Sequence, residues 1–473
     1  MAQSQQAFVS PDTIRSLFTE AMSAMYRTEV PQYGTLIELV ADVNAEVLQA
    51  NPELKARLAA LGELDRINVE RHGAIRLGTP EELFNMRRLF AVMGMEAVGY
   101  YDLSMAGVPV HSTCFRPVDE AALNINPFRV FTSLLRLELI EDKALRAEAE
   151  EILSRRKIFT EGALKLIALY EEKGGLTEEE ARTFVAEALE TFRWHSEATV
   201  SAETYKRLHD AHRLIADVVS FKGPHINHLT PRTLDIDAVQ AGMPKRGITP
   251  KAVIEGPPRR KVDILLRQTS FKALEEPVQF IGDAATAGTH TARFGEIEQR
   301  GVALTPKGRA LYDKLLNTVR GEVQVGAAGA GAGDYMSELS ARFAEFPDDA
   351  DTLRREGLAF FRYTVTEAGR RAVADGVKLQ ASVEELLKAG YLRFDPIVYE
   401  DFLPVSAAGI FQSNLGTDQQ VNYAARANRA AFETALGGKV EDELALYAAT
   451  QNNSLAASLQ ALGFTAPQLK SIA

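Results

Sequence analysis

The sequence predicts an α+β protein in which a β-α-β-β-β order of elements occurs twice, enclosed by large helical additions. Three observations carry this prediction. Short apolar runs punctuated by Gly, Pro and Asn surround a capped helix between Gly73 and Leu135. The same order of signals returns between His225 and Gln299. The stretch between them, from about Glu138 to Phe221, keeps helical periodicity throughout. At 473 residues the chain is too long for one ordinary core, which suggests roughly two to four packed units.

Residues 1–66 read as helices. Ser10 is placed to cap, Pro11 suits the first helical position, and Ile14, Leu17, Phe18 and Met22 repeat at helical spacing; a second helix is expected from about Thr35 to Gln49. Residues 67–137 form the first β-α-β-β-β module. Its opening strand is Gly73–Gly78 (GAIRLG), and Thr79, Pro80 and Glu82 then make a capping-box start for a helix through Phe90. Strands follow at Ala97–Leu103, Val108–Phe115 and Phe128–Leu135. Residues 138–222 read as a helical insertion, with Thr177 and Glu180 as a further capping box. Residues 223–310 repeat the order: an extended His225–Thr230, a helix capped by Asp235 and running to Gly242, then strands at Ala252–Glu255, Val262–Thr269 and Thr291–Gln299. The two modules share an order of elements without evident residue identity, and paired they enclose a cleft in which function is expected. Residues 311–473 are a mixed region contributing to that cleft. Its Gly/Ala tract, Gly326–Asp334, has no strong strand before it and lacks the Rossmann and P-loop spacings, so it reads as a linker; a Pro/Gly-punctuated apolar stretch follows at Asp401–Gln412.

Several function classes are disfavoured. The net charge is −11 and basic residues such as Arg259, Arg260 and Lys261 form only short clusters, so general nucleic-acid binding, which rests on neutralising phosphates, is not expected. The longest apolar runs, such as Phe90–Gly99, fall well short of the ~20 residues that span a bilayer. No membrane partner is expected. The start, MAQSQQAF, lacks the features of a signal peptide, and Cys114 is the single cysteine, so a cytoplasmic setting without intramolecular disulfides fits. Oligomeric state is left open.

The eight histidines are His72, His111, His195, His209, His212, His225, His228 and His290. Their number argues nothing; position decides. His72 opens the first strand of module one, His228 lies in the first strand of module two, and Glu296 lies in the last. Opening and closing strands of two paired modules meet in one cleft, where two imidazoles and a carboxylate make a facial triad for octahedral iron(II), leaving positions for substrate and oxygen. Zinc takes the same ligands and would suggest a hydrolase or lyase. His209 and His212 have helical ligand spacing but sit on a solvated helix, and are not favoured. His225 and His228 differ in strand parity, so at most one binds easily, and parity does not say which. Glu296 and Glu298 share parity; the one not used becomes a supporting or solvated group. Arg76 shares a strand face with His72, about 13 Å along by strand rise. It suits bidentate recognition of a substrate carboxylate, with an ordinary salt bridge as the alternative.

These residues lie in segments that resemble one family. NVERHGAIRLGT (Asn68–Thr79), VPVHSTCFRP (Val108–Pro117), HINHLTPRTLDID (His225–Asp237), IEGPPRR (Ile254–Arg260), GTHTARFGEIEQRGVALTPKGR (Gly288–Arg309) and EDFLPVSAAGIFQSNLG (Glu400–Gly416) are similar to the 2-oxoadipate dioxygenase/decarboxylase, or hydroxyglutarate synthase, family over essentially the whole chain. The resemblance implies a vicinal-oxygen-chelate-like fold. It also implies an iron(II) enzyme of bacterial lysine catabolism that takes 2-oxoadipate and O2 to D-2-hydroxyglutarate and carbon dioxide. The family's metal ligands fall on His72, His228 and Glu296, its substrate-binding arginine on Arg76, and a further substrate contact on Val405. A zinc or manganese lyase or hydrolase on the same triad, and a metabolite-binding sensor, are the alternatives.

Overall fold

The computed structural model describes residues 7–464 apart from 272, 274, 283–286, 292, 323–330, 378–381 and 404–427. Helices and sheets are mixed along the chain. It divides into two compact units. The first comprises Met1–Glu255, Gln268–Gln299 and Pro404–Glu441; the second comprises Gly256–Arg267, Arg300–Leu403 and Asp442–Ala473.

The first unit begins with Pro11–Glu29, whose first turn is closed by the Ser10 hydroxyl accepting the Thr13 N–H at 3.2 Å. The next helix, Pro31–Ala50, starts earlier than the apolar periodicity suggests, because Pro31 fixes a helical φ and has no N–H to leave unpaired. The buried faces of both helices, including Phe18, Met22, Leu36 and Val43, share one core with Phe90, Phe184 and Ala188.

Four strands of this unit follow the expected order: β1 (Arg71–Leu77), β2 (Glu96–Asp102), β3 (Val110–Arg116) and β4 (Arg129–Leu135). Between β1 and β2, the Thr79 hydroxyl accepts the Glu82 N–H and the Glu82 carboxylate accepts the Gly78 N–H at 2.7 Å, starting the helix Pro80–Val92. A fifth strand, β5 (Leu229–Pro231), joins from far along the chain, giving the sheet order β2-β3-β4-β1-β5. β1 is parallel to β4 and antiparallel to β5, with His72 opposite Thr230 and Gly73 opposite Leu229. Gly73 makes this approach possible: a Cβ there would stand 2.4 Å from Ile226 Cδ1 and 2.9 Å from the His228 carbonyl oxygen.

Further along, β6 (Leu266–Ser270) pairs with β9 (Glu296–Arg300), and β7 (Glu276–Gln279) forms an antiparallel hairpin with β8 (Ala287–His290). That hairpin lies between the expected strands and had no signal of its own, since Val278 is its one buried apolar residue. The expected strand at Ala252–Glu255 is reduced to isolated antiparallel bridges, Pro250 to Phe271 and Glu255 to Gln268. The prolines at 250, 257 and 258 remove the N–H groups that a longer ladder needs.

In the second unit β10 (Phe361–Val365) and β11 (Leu392–Pro396) are antiparallel, and the helix Glu443–Ala461 packs on β10 around Val365, Leu386, Leu392, Leu459 and Leu462. Most of the Gly326–Asp334 tract lies outside the described residues, and Ala332–Arg342 is helical. The Asp401–Gln412 stretch is described only as far as Leu403. Among the described residues, no helix is long and apolar enough to cross a membrane.

Candidate metal centre

Strand pairing brings His72, His228 and Glu296 together. His72 stands on β1, His228 immediately precedes β5, and Glu296 opens β9. One ligand atom from each lies within 4.8 Å of the others. His72 Nε2 is 3.0 Å from Glu296 Oε1 and His228 Nε2 is 3.8 Å from the same oxygen. Ligands on one face of an octahedron stand about 3 Å apart, because right-angled bonds of roughly 2.1 Å set that edge, so the spacing suits a single ion.

The electrostatics suit it as well. Burial pushes His228 down to about 4, with Glu296 opposing and His72 and Arg76 assisting, so its imidazole is neutral near pH 7 and has a lone pair to give. Its Nδ1 has no hydrogen-bond partner among the described residues, and Phe294 stacks on its ring at 4.9 Å. Burial alone would raise the carboxyl of Glu296, but His228 and His72 outweigh it and hold Glu296 below its ordinary value. Gln268 Nε2 and the Thr230 hydroxyl donate to Glu296 Oε1 at 2.9 and 3.2 Å. A neutral imidazole, a second imidazole and an ionised carboxylate, converging with little solvent access, form a donor set that fits a divalent transition metal.

The other face of His72 is also occupied. Its Nδ1 lies 2.9 Å from Glu298 Oε2, and Glu298, fully buried, stands 3.9 Å from Arg129. Arg129 donates to Glu70 at 2.9 Å, and Glu70 also accepts from Arg66 and Arg232. Strand parity thus delivers both glutamates to His72, one on each ring nitrogen. A carboxylate behind a metal-binding imidazole fixes its ring orientation and tautomer.

The remaining expected residues fall as follows. His209 is exposed on the helix Ala202–Ala211, and His212 caps the next helix, its Nδ1 accepting the Leu214 N–H. His225 belongs to a second buried group with Asp217 and His290. Arg76 makes an ion pair, Nη1 to Asp217 Oδ2 at 2.6 Å, and its side chain stays 28% exposed. Val405 lies outside the described residues. Sequence reasoning did not single out Asp217, although a lone acid in the apolar run Leu214–Val219 (LIADVV) is a readable signal of a buried ion pair.

Two histidines and one carboxylate, converging at strands β1 and β9 and the approach to β5 of a mixed α+β fold, form a candidate centre of the metalloenzyme type. The sequence profile of the 2-oxoadipate dioxygenase/decarboxylase family matches residues 18–414, and the chain belongs to that family. It is 62% identical to the 2-oxoadipate dioxygenase/decarboxylase of Pseudomonas putida over 96% of this chain and 98% of that one. The crystal structure of hydroxyglutarate synthase from Pseudomonas putida in complex with 2-oxoadipate superposes with a TM-score of 0.91 at 61% identity, covering 97% of this chain and 99% of that one. The YdcJ protein of Shigella flexneri superposes with a TM-score of 0.84 at 54% identity, over 95% and 99% of the two chains.

Proposed function

We propose that the chain converts 2-oxoadipate and O2 to D-2-hydroxyglutarate and carbon dioxide in bacterial lysine catabolism, in the cytoplasm, with iron(II) held by His72, His228 and Glu296. The observation that carries this reading is the convergence of those three side chains, in a chain 61% identical to a hydroxyglutarate synthase that binds 2-oxoadipate. Iron(II), when bound, supplies the oxygen-activating and Lewis-acid chemistry. The protein supplies the rest. Glu298 orients the His72 ring, burial keeps His228 neutral, and Gln268 and Thr230 fix the Glu296 carboxylate. Arg76 offers a guanidinium edge to a carboxylate of the substrate dianion. Val405 is a proposed substrate contact on the resemblance of its segment alone.

The reaction balances within one substrate molecule. The C1–C2 bond breaks and C1 leaves as carbon dioxide; C2 takes one oxygen atom and becomes the new carboxylate; C3 exchanges a hydrogen for a hydroxyl carrying the other. Two electrons come from the decarboxylation and two from the C–H bond, which together reduce one O2. Holding the substrate in place makes its own C3 the nearest oxidisable carbon, so no outside co-substrate is needed. We further infer a vicinal-oxygen-chelate-like pairing of modules, β1–β4 in one and β5, β6 and β9 in the other. This is supported by the parallel β1/β4 pair and by the parallel bridge from Arg232 to Glu298.

The test is turnover of 2-oxoadipate under iron(II) with labelled dioxygen. One labelled atom is expected in the new carboxylate and the other in the hydroxyl, apart from exchange with water, with one carbon dioxide released per O2 consumed. Glutarate as the main product would remove the hydroxylation half of this reading. Zinc-supported turnover without oxygen uptake would put a lyase or hydrolase in its place, and binding without turnover a sensor.

A further inference from the structure

Asp217 sits in the helix Arg213–Val219 with a side chain 6% exposed, and it is the one charged residue between Leu214 and Val219. A buried carboxylate on an apolar run must be compensated. Its Oδ2 accepts from Arg76 Nη1 at 2.6 Å, its Oδ1 lies 2.8 Å from His290 Nε2, and His225 Nε2 stands 3.4 Å from that same oxygen. His290 Nδ1 is in turn 2.8 Å from the Tyr205 hydroxyl, and the His290 ring lies parallel to that of Trp194, the planes 5° apart.

Among the described residues His225 Nδ1 keeps no hydrogen-bond partner, but around His290 the donors and acceptors close. A carboxylate only accepts, so His290 Nε2 donates; the other nitrogen of a neutral imidazole then accepts from the Tyr205 hydroxyl. Burial would raise the carboxyl of Asp217, but the charge of Arg76 and the imidazole hydrogen bonds outweigh it and hold Asp217 well below its usual range. Asp217, His225 and His290 also have the spacing of a metal group. Arg76 already compensates one oxygen of Asp217, and both ring nitrogens of His290 are taken up by hydrogen bonds, to Asp217 and to Tyr205, so we read the group as a brace. Arg76 shares a face of β1 with His72, the proposed metal ligand, and the brace ties its far end to helices outside the sheet.

We propose that Asp217, braced by His290 and Tyr205, is a positioning residue that fixes the Arg76 guanidinium at one distance from His72 and thereby sets the chain length of the 2-oxo dicarboxylate that the site prefers. This rests on the reading that the metal end takes the 2-oxo acid and Arg76 the distal carboxylate. An arginine held by a carboxylate loses reach and keeps direction. Released, its flexible stem meets carboxylates at several distances, and its uncompensated charge attracts all of them.

The experiment compares kcat and KM for 2-oxoadipate, the one-carbon-shorter 2-oxoglutarate, the one-carbon-longer 2-oxopimelate and the monoacid 2-oxohexanoate in wild type, Asp217→Asn, Tyr205→Phe and Arg76→Ala. In Asp217→Asn the preference for 2-oxoadipate over its shorter and longer neighbours is expected to fall by about 10-fold or more, mainly through KM, while kcat/KM for the monoacid stays within about twofold; loss of a charge-assisted hydrogen bond has this size. If dicarboxylates instead bind uniformly tighter with their ranking kept, Asp217 merely tunes charge and the inference is overturned. Should Asp217→Asn fail to fold, Tyr205→Phe decides: a ranking compressed a few-fold supports the brace, and an unchanged ranking overturns it. Metal content is expected to be one ion per chain in wild type and in Asp217→Asn alike; two falling to one would assign the cluster to a second ion. Arg76→Ala separates the two levels. If it leaves the preference for 2-oxoadipate over the monoacid intact, the substrate reading itself has failed. If it abolishes that preference while Asp217→Asn leaves the chain-length ranking untouched, only the present inference has.

Discussion

Both ring nitrogens of His72 are committed, Nε2 toward Glu296 and Nδ1 toward Glu298. Burial opposes its protonation, but the two carboxylates outweigh burial and raise its pKa. With an ion bound at Nε2, Glu298 is left to orient the ring and to strengthen its donation. Glu298→Gln keeps an acceptor for Nδ1 but removes the charge, so iron(II) affinity is expected to fall by about 10- to 100-fold in an anaerobic titration. Affinity within about twofold of wild type would reduce Glu298 to a partner of Arg129. At this scale the sequence was legible where a regular strand carried the residues: two-residue spacing put Glu296 and Glu298 on one face, and both reach His72. It was silent between His225 and His228, because residues 224–228 are not a strand and parity has no meaning there. The two part company, His225 to Asp217 and His228 to the candidate metal ligands. Arg76 was legible as a candidate arginine for a substrate carboxylate, with a salt bridge as the alternative, but the partner the structure gives it, Asp217, is 141 residues away in sequence and no local pattern connects them.

Among the elements, the helix starts were the most readable, because capping chemistry is local: the Thr79/Glu82 and Thr177/Glu180 boxes both form. Strand ends were less so. β5 is three residues long where six were expected, and the β7–β8 hairpin carried no alternation to announce it. What places β5 is a close approach and not a pattern. Gly73 lets the segment from Ile226 to Leu229 lie directly on β1, and that contact brings the His228 ring to 5.3 Å from that of His72. Gly73→Ala would force a methyl group against the His228 carbonyl oxygen, which is backbone and has little room to yield. A loss of about 1–3 kcal/mol in stability is expected from such overpacking. A larger relative loss is expected in iron(II) affinity, because the displaced segment carries His228, a proposed ligand. Thermal unfolding and metal titration of this variant check both. A variant that is destabilised yet binds iron(II) like wild type would show that His228 is placed by other contacts.

For the molecule as a whole, hydrophobic periodicity gave the helical and strand-rich stretches along the chain, while the grouping into two compact units depends on contacts between segments far apart in sequence, such as Gln268–Gln299 joining Met1–Glu255. Periodicity reports which face of an element is buried, not against what. The grouping has a consequence for ligand linkage. All three proposed metal ligands lie in the first unit, and two of them, His72 and Glu296, are 224 residues apart. An ion that binds the folded site and not the opened one resists any fluctuation that separates β1, β5 and β9. At free iron(II) near 100 times Kd this amounts to about 2.7 kcal/mol, or a roughly 100-fold slowing of amide exchange wherever exchange requires that opening. Anaerobic hydrogen exchange with and without iron(II) is therefore expected to show new protection in β1, β5 and β9. β10, β11 and the helix Glu443–Ala461 have their own core around Leu392 and Leu459 and contribute no proposed ligand, so their exchange is expected to be unchanged. The His228→Ala variant is expected to lose the protection in the first unit. Protection that spreads equally into β10 and β11 would mean that the two units open as one, and that metal binding stabilises the chain globally.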